Sequence, residues 1–67
     1  MYLVARTHKE TGAQRDWLVS FWPKADLIEV TTVREKARRF KSKADAHAVR
    51  DKLERIEAFH NWRVVPV

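Results

Sequence analysis

Residues 27–40 read LIEVTTVREKARRF, and whether they form a strand or a helix decides the fold. Ile28, Val30, Thr31, Thr32 and Val33 are β-branched and stiff at χ1, which favours a strand. Val30, Val33, Ala37 and Phe40 also fall at helical spacing, and Arg34 to Arg39 contains good helix formers. We read 28–40 as a strand with a bulge near Arg38 and Arg39. The bulge is required because Ala37 and Phe40 differ in parity, and strict alternation would send them to opposite faces. The other reading is a short strand followed by one or two helical turns.

Upstream, Tyr2-Leu3-Val4-Ala5 is apolar and β-prone and extends as a strand to Thr7. His8 to Gln14 is polar and holds the sole glycine, Gly12, which supplies the positive φ of a hairpin loop. Trp17 to Trp22, WLVSFW, is the strongest strand signal. Pro23 ends it, and Pro23 to Asp26 reads as a turn.

Downstream, Ser42 is placed to accept from a first-turn N–H, and Asp45 suits the positive end of a helix. Ala46, Val49, Leu53 and Ile56 then form one apolar stripe. The helix covers about 43–59, Phe59 or His60 closes it, and Asn61 caps it. Trp62 to Val67, WRVVPV, is a last strand, which by Pro66 lies at a sheet edge or ends there. The order is β-β-β-α-β: a single α+β domain over 1–67, with a mostly antiparallel sheet and the helix on one face.

The chain has 67 residues, with 14 Lys and Arg against 9 Asp and Glu. Residues 1–33 carry four basic and four acidic groups, and residues 44–67 again four and four. The excess of +5 therefore sits in residues 34–43, REKARRFKSK, with six cations and one Glu. A strand would align Arg34, Lys36 and Arg38, and a helix would align Arg34, Arg38 and Lys41. Either forms a cationic ridge, which phosphates bind by releasing counterions. The same charges on a strand also guard against edge-to-edge aggregation.

A chain this short buries only about 60% of its unfolded surface, so a homodimer would supply missing burial. It has no Cys, hence no disulfide framework and no cysteine zinc site. No apolar run reaches membrane-span length, and MYLVARTHKE is not a secretory leader, so a cytoplasmic location away from membranes is expected. His8, His47 and His60 lack ligand spacing, and His47 with Asp51 reads as an exposed pair, so no metal and no other cofactor is expected. Glycine-rich phosphate loops, G-x-S-x-G and a thiol nucleophile are absent, which points away from an enzyme. Most aromatics fill the core, with Trp22 and Trp62 the candidates for exposed rings.

Residues 39–67, RFKSKADAHAVRDKLERIEAFHNWRVVPV, resemble half of a SPOR domain, with Phe40, Ser42, Ala46, Leu53 and RVVPV in the matching strand, turn, helix and strand. Residues 1–33 depart from that family by showing only strands, and no glycan-binding residue is carried over. Three strands followed by F-x-S-x-x-D-A are similar to the arm-binding domains of tyrosine integrases and the plant ethylene-response DNA-binding domain, with Trp17, Phe40 and Ala46 at comparable places. That resemblance implies a sheet reading DNA through Arg15, Arg34, Lys36 and Arg38, although a C-terminal strand is not part of the pattern. In general type the short, charged, cysteine-free chain resembles phage and prophage accessory proteins.

The expected function is a non-enzymatic nucleic-acid-binding module. Its site residues are Arg34, Lys36, Arg38, Arg39, Lys41 and Lys43, joined by Arg15, Trp22 and Trp62. An accessory protein that docks on an acidic host protein and inhibits or redirects it, and a purely structural or oligomeric domain, are the other readings.

Overall fold

The computed structural model describes every residue except Asp26, and the backbone alone of Pro23. Strands β1 (Tyr2–His8), β2 (Gln14–Trp22), β3 (Leu27–Thr31) and β4 (His60–Pro66) form one antiparallel sheet in the order β3-β2-β1-β4. Helix α1 (Lys43–Ile56) packs against β4 and β1. The α+β arrangement is the one expected from the sequence. As Pro66 suggested, β4 is an edge strand. Among the described residues no helix is long and apolar enough to cross a membrane.

Local signals place the elements. Gly12 has φ 71° in the β1–β2 loop, where His8 N–H donates to Ala13 O and Gly12 N–H to His8 O, each at 2.8 Å. Ser42 Oγ accepts from Asp45 N–H at 3.3 Å and starts α1. Helix α1 stops at Ile56, earlier than expected, because the Glu57 side chain turns onward. Its Oε1 accepts from Phe59 N–H and its Oε2 from His60 Nδ1, each at 2.9 Å. Asn61 is not a cap; it lies within β4. Pro23–Ala25 forms a short 3-10 turn, and the part of the expected turn at Asp26 falls outside the described residues.

Residues 28–40 are not one strand. β3 ends at Thr31, and a single 3-10 turn occupies Arg34–Lys36, close to the reading of a strand followed by helical turns. Beyond it the chain runs extended into a split in the sheet. β1 and β2 pair only from Ala5↔Trp17 to Thr7↔Gln14. Below that they part, and residues 38–40 fill the gap. Arg38 N–H donates to Leu18 O at 2.9 Å, while Tyr2 and Phe40 exchange both backbone bonds at 2.8 Å. The inserted backbone satisfies strand edges that would otherwise lie orphaned at the sheet's centre.

No bulge is needed at Arg38 and Arg39, because both sheet faces are buried. Phe40 joins Val4, Leu18, Ala46, Leu53 and Trp62 beneath the helix. Ala37 joins Leu3, Ala5 and Trp17 on the opposite face. The opposite parity that demanded a bulge in a one-faced sheet therefore sends each side chain to its own core. Bulges occur instead in β2, where the register slips at Arg15 and again at Val19. The second slip puts Leu18 and Phe21 together on the helix side, and it leaves Trp17 and Trp22 together on the far side.

Candidate nucleic-acid interface

Segment 34–43 is held by its two apolar residues. Ala37 is 7% exposed and Phe40 is 6% exposed, whereas Arg34, Lys36, Arg38, Arg39, Lys41 and Lys43 are all exposed. Burial of Ala37 and Phe40 fixes the backbone, so the cations project from an ordered segment.

The charges do not form a ridge on one face. Arg34 lies over the Trp17 ring, 5.6 Å from its centroid, and its Nη2 donates to Pro66 O at 3.4 Å. Arg34 and Arg39 line a hollow of about 150 Å³ on the far side of the sheet, with Leu3, Glu35 and Val67. Arg38 points the other way and covers the Phe40 ring at 5.0 Å. Simple alternation explains the division: 37 and 39 face one side, 38 and 40 the other. The aligned Arg34, Lys36 and Arg38 of a strand, and the aligned Arg34, Arg38 and Lys41 of a helix, are both replaced by a belt around the inserted segment. Cation–π contact holds two of its guanidinium groups in place while leaving them charged.

Among the described residues none of the six cations forms an ion pair. The ion pairs that do form lie elsewhere: Arg6 with Asp16, and Arg50 with Asp51 and Glu54. Asp51 is thus bonded to Arg50 at 2.7 Å and is not the partner of His47.

Arg15 does not join the belt. It lies at the other end of β2, where Nη1 donates to His60 Nε2 at 2.8 Å. A guanidinium cannot accept, so His60 Nε2 is the acceptor and Nδ1 carries the proton that goes to Glu57.

The two candidate rings separate. Trp22 is 51% exposed at the end of β2. Trp62 is 2% exposed, contrary to expectation, and among the described residues its Nε1 has no hydrogen-bond partner. It pairs with Arg6 on central strand β1 and faces the helix, with the Arg6 guanidinium 5.8 Å from its ring centroid.

Sequence reasoning missed a recess of about 490 Å³ lined by Trp22, Lys24, Ala25 and Leu27. Leu27 is 58% exposed. The signal was present as Trp22 and Leu27 flanking a turn, but their shared face follows only from the Val19 slip.

No protein-family model matches the chain, and no curated protein or solved structure matches it significantly.

Proposed function

We propose that the chain is a non-enzymatic nucleic-acid-binding module that contacts phosphates through Arg34, Lys36, Arg38, Arg39, Lys41 and Lys43. The observation that carries this reading is the six exposed cations, unpaired among the described residues, on a segment anchored by buried Ala37 and Phe40. Surface cations that serve stability find carboxylates nearby, as Arg50 does. Cations without such partners keep their full attraction for an anionic ligand.

Titration of labelled DNA and RNA oligonucleotides at several salt concentrations tests it. Affinity should fall linearly with the logarithm of salt, with a slope set by the phosphates engaged. Absence of binding at low salt to every oligonucleotide overturns the reading.

The same belt suits an acidic protein surface, as in an accessory protein that inhibits or redirects a host factor. A stoichiometric acidic partner that survives nuclease treatment, with no oligonucleotide binding, would replace the first reading with this one.

A further inference from the structure

Trp22 and Leu27 stand at the β2–β3 turn as large side chains that folding leaves exposed, beside Lys24. Their place relative to the belt follows from the topology. β2 runs antiparallel to β1, so its last residue, Trp22, lies at the sheet end where β1 begins. Tyr2, the first residue of β1, pairs with Phe40, and the chain passes from there through Lys41 to Lys43 at the start of α1. The recess around Trp22 and the distal half of the belt therefore occupy one end of the sheet.

Two observations indicate which form of nucleic acid suits that end. The first is the ring. Trp17 and Trp62 are 8% and 2% exposed, while Trp22 is open on the recess it lines with Ala25 and Leu27. An open indole at an apolar recess stacks on any base, but only on a base that has left its own stack. The second is the lack of a groove-reading element. From residue 44 onward, α1 has Arg50, Lys52 and Arg55 against Asp45, Asp51 and Glu54, so its exposed side is neutral. Its Arg50 is already bonded to Asp51 and Glu54. The sheet face away from the helix is crossed by the 3-10 turn at Arg34–Lys36, whose Ala37 packs onto it, so it cannot lie flat along a groove.

Resting on the nucleic-acid reading above, we infer that the ligand is a single strand, with one base stacked on Trp22 in the recess and its flanking phosphates met by Lys24, Lys41 and Lys43. Charge complementarity selects this occupant. Among the described residues the recess is lined by Trp22, Ala25 and Leu27, which are apolar, and by Lys24, with Lys41 and Lys43 at the same end of the sheet. Stacking on one ring is tolerant of base identity, so the binding is sequence-neutral.

The test compares a labelled 12-nucleotide oligo-dT with a 12-base-pair duplex at equal low salt, using fluorescence anisotropy. The wild-type chain should bind the single strand at least about tenfold more tightly than the duplex. Trp22→Ala should weaken single-strand binding about tenfold and leave duplex binding within twofold. Trp22→Phe should retain most of the affinity, which separates stacking from a loss of fold, and circular dichroism checks both variants. Intrinsic tryptophan emission should be quenched by oligo-dT in the wild type and not in Trp22→Phe. Equal or tighter duplex binding, or an unchanged single-strand affinity in Trp22→Ala, overturns this inference and leaves the phosphate-binding belt standing. Loss of all nucleic-acid binding in the wild type, with tight binding of polyglutamate, overturns both in favour of an acidic protein surface.

Discussion

Residues 44–56 of helix α1 carry three cations and three carboxylates, and Arg50 is bonded to Asp51 and Glu54. Residues 34–43 carry six cations and one Glu, and among the described residues none of the six is bonded to a carboxylate. Both stretches are exposed and rich in charge, so charge density alone does not distinguish them. Neighbouring groups do. In the helix, opposite charges lie one and four residues from Arg50 and neutralise it locally. In the inserted segment, Arg34 and Arg38 lie over aromatic rings, which orient a cation without cancelling it. A charged stretch that settles its own electrostatics is a solvated face. One that leaves its charge uncompensated is suited to an external anion.

The most severe way to break the contrast is to remove the anchor of the segment. Phe40→Ala empties a site shared with Val4, Leu18 and Trp62, and should cost about 3–5 kcal/mol in denaturant unfolding. A loss under about 1 kcal/mol would mean that the insertion contributes little to the fold. Next in size is a matched pair of charge removals. Arg38→Gln with Lys41→Gln should weaken single-strand binding roughly tenfold and lower the salt slope by about 1.4. Lys52→Gln with Arg55→Gln removes as many cations from α1 and should change affinity less than about twofold. Equal effects of the two double variants, read by anisotropy, would erase the distinction between the regions.

A smaller effect belongs to the junction of the two stretches. Ser42→Ala removes the acceptor for Asp45 N–H and should lower stability by about 1 kcal/mol without altering the salt slope of binding. The smallest is Glu54→Ala, which breaks the 3.5 Å contact with Arg50 and should cost about 0.3 kcal/mol. A clear gain in oligonucleotide affinity in Glu54→Ala would show that α1 belongs to the interface after all.

What could be read from the sequence was what neighbours in the chain decide. Gly12, the Ser42 cap and the stripe of Ala46, Val49 and Leu53 each depend on residues a few positions apart and are found as expected, whereas Ile56, the last residue read into that stripe, is 39% exposed where the helix ends. The location of the excess charge was equally legible, because exposure of Lys and Arg needs little context. The rest required knowing what lies on either side of a strand. A sheet covered by a helix on one face and by residues 34–37 on the other has two cores, and parity arguments built on one core place a bulge at Arg38 where none exists. Trp62 reads as a terminal aromatic until β4 is paired with β1, which turns its ring beneath the helix. Trp22 changes face through a single extra residue, Val19, and no composition signal announces such a slip.

The position of β1 sets the order in which the molecule can assemble. β1 lies between β2, reached through a short loop, and β4, whose Pro66 pairs with Tyr2 across almost the whole chain. Val67 N–H also donates to Met1 O at 2.9 Å. The β1–β2 hairpin and α1 can form from local contacts, but the central strand gains its second partner only after the longest loop in the molecule has closed. Loop-closure entropy weighs on that pairing, and folding should be slow for so small a chain. Phe40 and Trp62 belong to the same core beneath the helix, so the two long-range pairings that bring residues 38–40 and β4 against β1 complete that one core.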